Sequence, residues 1–218
     1  MAAVVELKFC GLTREADAAH AASAGAQYVG EIFAGGPREL TPERAAQVLD
    51  AAGPSVRRVG VFGADFRARV AATAATARLD AIQLHGDPTT NDIADARKVF
   101  AGEVWAVVRI TGAGIPDNIG ALQSSADAVL FDPRVSGKLG GTGVRLEWHA
   151  LGPLLDQSRM QGGRIVLAGG LTPENVAEAI AAVRPSVVDV SSGVESAPGV
   201  KDHGRMTAFA EAVRRSSR

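Results

Sequence analysis

The sequence predicts a closed (β/α)8 TIM barrel, and three observations predict it. Eight short β-branched runs alternate with eight Ala-rich or amphipathic stretches across 218 residues. No composition shift or Pro/Gly/Ser-rich linker breaks that alternation. The polar and glycine-rich residues gather at the C-terminal ends of the strand-like runs, where barrels carry their chemistry. An open doubly wound sheet is the alternative, but it usually has fewer units and leaves an edge uncovered. The expectation is one barrel domain over residues 1–218.

Taken in order, Val4–Phe9 opens the chain as a strand and leads to the helical Arg14–Ala24, which Gly25 stops. Tyr28–Phe33 leads to Pro42–Ala52, where Thr41-Pro42-Glu43 puts a capping Thr before Pro at the first helical position and an acid after it; Gly53 ends that helix. Arg57–Phe62 pairs with the Ala-rich Phe66–Leu79, and Ala81–Leu84 with Asn91–Phe100. Val104–Ile110 leads to Asp117–Ser124, and Ala128–Phe131 to Leu146–Asp156. Arg164–Leu167 is followed by Pro173–Val183, where Thr172-Pro173-Glu174 repeats the Thr-Pro-acid start. Val187–Val190 and Asp202–Arg214 complete the eighth unit.

Apolar residues make up 46% of the chain and charged residues 22%, which places it among ordinary globular proteins. A formal net charge of −1 with mixed signs gives no pull toward nucleic acid or a membrane surface. The basic run Arg214-Arg215-Ser216-Ser217-Arg218 reads as a frayed, solvated terminus. The single cysteine allows no intrachain disulfide, and no Cys/His cluster has zinc-like spacing, so no metal is expected. Met1 to Lys8 reads as neither signal peptide nor membrane span, so the simplest compartment is the cytoplasm. The expected partner is a small molecule bound by a monomer or homodimer, since the alanine-rich helix faces mark no dimer patch. Ser136-Gly137-Lys138-Leu139 lacks the hydroxyl residue after Lys that a P-loop needs. Gly112-Ala113-Gly114 is not continued by a third glycine, so neither ATP nor NAD is implied.

The loops after strands six, seven and eight read Gly140-Gly141-Thr142-Gly143, Ala168-Gly169-Gly170-Leu171 and Ser191-Ser192-Gly193-Val194. Glycines let backbone amides approach an anion closely, hydroxyls add donors without bulk, and the late loops of a barrel are the usual phosphate site. A single such loop would only be a tight turn; three in succession point to phosphate, bound by Gly141, Thr142, Gly143, Gly169, Gly170, Ser191, Ser192 and Gly193.

Four side chains at strand ends carry chemistry. Alternation along the first strand puts Lys8 and Cys10 on the interior side; Cys10 is either a small buried hydrophobe or, at the mouth opposite a phosphate, a thiolate base or nucleophile. Asp132 ends the sixth strand, either capping its loop or facing Cys10 across part of the mouth, the arrangement a proton-moving isomerisation needs. Arg38, after Gly35-Gly36-Pro37, is either a bidentate clamp for a substrate carboxylate or the partner of Glu39 or Glu43. His85 either lines the pocket or bonds a neighbouring loop, whereas His20, His149 and His203 fall on helices as surface or capping residues.

Together these residues resemble the phosphoribosylanthranilate isomerase family. The matching pieces are Lys8-Phe9-Cys10-Gly11-Leu12-Thr13, Pro37-Arg38, Val59-Gly60-Val61-Phe62, Gln83-Leu84-His85-Gly86, Gly140-Gly141-Thr142-Gly143, Leu167 through Val176, and Val188 through Glu195, in family order over almost the whole chain. The resemblance implies an Amadori rearrangement in tryptophan biosynthesis that needs neither metal nor cofactor. It makes Asp132 the general acid that protonates the ribose ring oxygen of N-(5-phosphoribosyl)anthranilate and Cys10 the general base that takes the C2 proton. Arg38 holds the anthranilate carboxylate, the late loops hold the 5′-phosphate, and Asp189 either reaches a ribose hydroxyl or is structural.

Three positions depart from the family pattern. Gly36 precedes Pro37-Arg38 where a serine is common, Pro133 follows Asp132 where a small hydroxyl residue is usual, and Glu31 interrupts a strand where an aromatic is common. Glu31 is expected to pair with a cation such as Lys8 or Arg58, or to lie in water at the strand end. The competing readings are a bifunctional histidine–tryptophan isomerase, an indole-glycerol-phosphate synthase, a pentose-phosphate epimerase and a catalytically dead phosphate-binding barrel. Cys10 argues against the first, the lack of a Lys/Glu pair at strand ends against the second, and the single strand-end histidine against the third.

Overall fold

The computed structural model describes residues 4–111, 114–133, 146–160 and 162–216. Strands β1 (Glu6–Cys10), β2 (Tyr28–Phe33), β3 (Arg57–Phe62), β4 (Ala81–Leu84), β5 (Glu103–Ile110), β6 (Ala128–Pro133), β7 (Ile165–Leu167) and β8 (Val187–Val190) run parallel in chain order, and β8 pairs back onto β1 to close the barrel. Outside it lie α1 (Glu15–Ser23), α2 (Pro42–Asp50), α3 (Phe66–Ala77), α4 (Thr90–Val99), α5 (Ile119–Ser125), α6 (Trp148–Met160), α7 (Val176–Val183) and α8 (His203–Ser216). The barrel predicted from the alternation is the observed fold.

The period of two along each strand sorts side chains into two cores. Tyr28, Val59, Ala81, Trp105, Val107, Leu130, Val166 and Val187 fill the barrel interior. Leu7, Phe9, Val29, Phe33, Phe62 and Ile82 point outward into a continuous layer beneath the helices.

Below the interior core the barrel is floored by charge. Arg57 at the start of β3 bridges Glu6 of β1 at 3.2 Å and Glu103 of β5 at 2.6 Å. Arg164, just before β7, reaches the same two carboxylates, Glu103 at 3.1 Å, and also the Tyr28 hydroxyl. The Trp105 indole donates to Glu103 at 2.8 Å. Two cations alternate with two anions, one from each odd strand, so every charge has a neighbour of opposite sign on either side.

Several boundaries differ from the sequence reading for identifiable reasons. β6 extends two residues past Phe131, through Asp132 and Pro133, which pair with Arg109 and Ile110 of β5. Thr41 does cap α2, accepting from the Arg44 amide. Thr172 does not cap α7: its amide donates to the Asn175 carbonyl oxygen of the side chain at 2.8 Å, and the helix begins after Asn175. Between β8 and α8 lies a feature absent from the sequence reading, a 3₁₀ turn at Ser192–Val194 and a small antiparallel hairpin of β9 (Glu195–Ala197) and β10 (Val200–Lys201). It folds back over the start of the chain, where Thr13 donates to the Gly199 carbonyl at 2.5 Å.

Candidate active site

The C-terminal ends of the strands surround a cavity of about 600 Å³. Cys10, Arg38, His85, Asp132 and Asp189 all line it, as do Gly169, Gly170, Ser191, Ser192 and Gly193. One mouth therefore gathers every described residue that the sequence singled out. Gly141, Thr142 and Gly143 lie outside the described residues.

Cys10 is buried at the edge of this cavity, with Lys8 one pleat below on the same face. Gly30 of β2 is what gives the two side chains room: a Cβ there would meet the Cys10 sulfur at 3.0 Å and Lys8 Nζ at 3.3 Å. Lys8 is fully buried and donates to Asp189 at 2.9 Å and to the Gln83 side-chain oxygen at 3.0 Å. A buried ammonium is tolerable only with such partners. Burial pushes the Cys10 thiol up, Lys8 pulls it down, and Asp189 pushes it up again. The other Asp189 oxygen, Oδ1, is buried without a hydrogen-bond partner.

Asp132 faces the same cavity from β6 and is 5% exposed. Burial raises its carboxyl from 3.8 to about 7, with the Asp189 charge adding to the rise and Arg109 and Lys8 opposing it. His85 Nε2 stands 3.7 Å from Asp132 Oδ2, and its Nδ1 lies 3.2 Å from the Gln83 amide nitrogen. His85 lines the pocket. Pro133, which replaces a donor beside the acid, packs on Gly169: a Cβ at that glycine would lie 2.0 Å from the proline ring, and its φ is +88°. Only glycine fits there.

Arg38 reaches the cavity, but its partner is neither Glu39 nor Glu43. Its Nε and Nη2 donate to the two oxygens of Glu195 at 2.8 and 2.6 Å, a side-on fork. Glu39 instead meets Arg69 at 3.2 Å. Two of the five guanidinium donors are engaged by Glu195, and the cavity wall includes the arginine. The Glu31 expectation is corrected outright. Lys8 is committed to Asp189 and Arg58 to Asp50, while Glu31, pointing away from the barrel interior, is fully buried with neither oxygen hydrogen bonded. Burial therefore raises its carboxyl well above the ordinary range, against a weaker pull from Lys201 and Arg44.

This geometry has counterparts among known proteins. A family model described as N-(5′-phosphoribosyl)anthranilate (PRA) isomerase matches residues 7–212. The chain belongs to that family. The N-(5′-phosphoribosyl)anthranilate isomerase of Acidithiobacillus ferrooxidans is 42% identical, over 97% of this chain and 98% of the relative. The crystal structure of phosphoribosyl anthranilate isomerase from Thermus thermophilus superposes with a TM-score of 0.83 at 33% identity, covering 96% of this chain and 98% of the other. A phosphoribosyl anthranilate isomerase solved with reduced 1-(o-carboxyphenylamino)-1-deoxyribulose 5-phosphate superposes with a TM-score of 0.79 at 31% identity, covering 97% and 99%.

As a PRA isomerase family member, the chain builds its late loops by close backbone approach. A Cβ on Gly193 would lie 1.8 Å from the Leu171 carbonyl oxygen, so the loops after β7 and β8 touch through a residue that has to be glycine. Asn175 fixes the first of them, donating to the Gly170 carbonyl at 2.9 Å. Four contributors escaped the sequence reading: Gln83, Asn175, Glu195 and Lys201. Gln83, Asn175 and Glu195 lie inside the family-like motifs, so their positions were flagged but not their partners. The signal for Lys201 is weaker, a lone lysine in an otherwise apolar Gly199-Val200 context after Pro198.

Proposed function

We propose that this chain isomerises N-(5′-phosphoribosyl)anthranilate by acid–base catalysis between Asp132 and Cys10. The observation that carries the reading is Asp132: an aspartate held protonated up to about pH 7, in the same cavity as the only cysteine of the sequence. A carboxyl that keeps its proton near neutrality is suited to give it to the ribose ring oxygen. The C1–O bond then breaks, the anilino nitrogen lone pair forms the C1=N bond, and a cationic Schiff base results. The Cys10 thiolate removes the C2 proton, the electron pair moves into C1=C2 as nitrogen is neutralised, and the enolamine tautomerises to the 1-deoxyribulose ketone. The protons lost from C2 and from its hydroxyl are matched by protons gained at the ring oxygen and at C1, so the sum is an isomerisation.

The remaining cavity residues serve the ends of the substrate. Arg38 offers the guanidinium edge that Glu195 leaves open to the anthranilate carboxylate. Gly169, Gly170, Ser191, Ser192 and Gly193 take the phosphate, joined by Gly141, Thr142 and Gly143 through the family resemblance. His85 beside the acid and the unpartnered Asp189 Oδ1 are placed to meet ribose hydroxyls. Turnover of N-(5′-phosphoribosyl)anthranilate by Cys10→Ala and Asp132→Asn tests the roles. Each substitution is expected to lower kcat by ~10²–10⁴-fold with little change in ligand affinity. Full activity in either variant removes that residue from the mechanism.

A further inference from the structure

Lys201 is a buried lysine, 3% exposed, on the short strand β10 of the hairpin that follows β8. Its ammonium has been given no part in the chemistry above. It donates to the Cys10 carbonyl at 2.7 Å, to the Ser191 carbonyl at 3.1 Å and to Glu195 Oε1 at 2.8 Å. Each acceptor belongs to a different arm of the site. Cys10 is the end of β1 and carries the thiol, Ser191 opens the phosphate loop after β8, and Glu195 grips Arg38 from the loop after β2.

The hairpin itself is anchored from the other side. The Lys201 amide donates to Asp17 Oδ2 at 3.2 Å, and the Lys201 carbonyl accepts from Arg14 at 2.9 Å. Asp17 is in turn held by Arg14 and by His203 at 2.9 Å. Lys201 therefore stands on a fixed base and reaches up under the end of β1, the start of the loop after β8 and the carboxylate that grips Arg38.

We infer that Lys201 is a positioning residue, a three-way tie that holds the base strand, the phosphate loop and the Arg38–Glu195 clamp in one register. The inference rests on the assignment of Cys10 and Arg38 made above. Three observations favour a positioning role over mere packing. A lysine buried for packing alone would pay for its charge with one partner, whereas this one satisfies all three of its donors on site elements. Its acceptors include the main-chain carbonyl of the residue whose side chain is the base, so its loss acts on that atom directly. Its charge also reaches the thiol, lowering the Cys10 value against the effect of burial.

The groups facing the thiol are Lys8 below it on β1, Asp189 from β8, Lys201 from β10 and Arg38 from the loop after β2. Removing Lys201 thus takes away one of the two lysines that favour the thiolate. Because Cys10 is the only cysteine, ultraviolet absorbance of the thiolate reports that one thiol once the overlapping phenolate signal of the single tyrosine, Tyr28, is subtracted with a Cys10→Ala control.

The test compares the full chain with Lys201→Met and Glu195→Gln, each first checked for a cooperative melt. Lys201→Met is expected to move the thiol titration to higher pH, to lower kcat at pH 7 by about tenfold or more, and to raise KM, since a misplaced site loses up to ~10²-fold. Glu195→Gln keeps the tie to Cys10 but weakens the grip on Arg38, so KM is expected to rise while the thiol titration does not move upward. A folded Lys201→Met with wild-type thiol titration, kcat and KM overturns the inference. Should Lys201→Met not fold, an unchanged KM in Glu195→Gln overturns it instead. Cys10→Ala separates the two levels of argument: if it retains turnover, the base assignment fails, whereas loss of turnover beside a neutral Lys201→Met defeats the tie alone.

Discussion

The protonation order of the two catalytic groups makes a sharp pH prediction. Asp132 titrates at about 7, and the Cys10 thiol lies above its ordinary value, so the acid loses its proton before the base does. An aspartate at its ordinary 3.8 would be protonated in roughly one molecule in 1,600 at pH 7, whereas at about 7 it is protonated in half. The thiolate, by contrast, is the scarce form at that pH, because burial holds the thiol above its ordinary value. The working form, carboxylic acid together with thiolate, is therefore a minor one.

Below about pH 7 the acid is intact and each pH unit multiplies the thiolate about tenfold, so kcat/KM is expected to climb about tenfold per unit. Above about pH 7 each gain in thiolate is cancelled by an equal loss of acid, and the profile levels off until the thiol itself is ionised. The assay is the initial rate with N-(5′-phosphoribosyl)anthranilate across roughly pH 5–10. A phosphate ester also titrates near pH 6, and ligand affinity of Asp132→Asn over the same range subtracts that contribution. A break near pH 4 would mean that Asp132 is an ordinary exposed carboxylate. A rate falling about tenfold per unit directly above pH 7 would put the thiol below the acid and refute the order.

Three further outcomes follow from single residues. Glu31→Leu removes a buried carboxyl with no hydrogen-bond partner, so stability in urea is expected to rise by about 1–3 kcal/mol, more at alkaline pH, with turnover unchanged; a loss of stability would show that the carboxyl is satisfied after all. Glu103→Ala leaves Arg57 and Arg164 without their shared anion and the Trp105 indole without its acceptor, and a loss of about 1–3 kcal/mol, reduced by salt, is expected in denaturant titrations. Gly193→Ala puts a methyl group against the Leu171 carbonyl and parts the two late loops; inhibition by inorganic phosphate should weaken about tenfold or more, and unaltered inhibition would separate this loop from the phosphate.

The barrel was legible because its signal is local. Strand alternation and helix stop signals such as Gly25 and Gly53 depend on neighbours in sequence, and both glycines do carry positive φ after their helices. The site was legible for a related reason: a barrel places chemistry at strand ends, so Cys10, His85 and Asp132 could be located before any contact was known. Partner choice was not legible. Arg38 sits beside Glu39 in sequence yet grips Glu195, which is 157 residues away. Lys8 satisfies Asp189 at a separation of 181 residues, and so is unavailable to Glu31. Such pairings are set by barrel closure between β1 and β8 and by the hairpin that folds back over β1, neither of which leaves a local pattern.

The same charges that make the mouth reactive set the pH range in which the fold holds it. Asp132 and Glu31 have folded-state values above their unfolded ones, so the stability they confer is full below the ordinary carboxylate range and is lost as pH rises through their folded values. For Asp132 the loss, from 3.8 to about 7, amounts to about 4 kcal/mol once the group is ionised. Glu195 and Asp17 are shifted the other way by Arg38, Lys201, Arg14 and His203, so their stabilisation is present at neutral pH and is lost as pH falls through their lowered values. Stability is thus squeezed from the acid side by the clamp and hairpin anchors, and from the alkaline side by the acid and by Glu31. The kcat/KM plateau begins near the pH at which Asp132 has finished withdrawing its stability, so peak activity falls where that contribution is already lost. The floor ring of Glu6, Arg57, Glu103 and Arg164 lies at the opposite end of the barrel from that conflict. It can hold the strands in register without drawing on the groups that must change charge at the mouth.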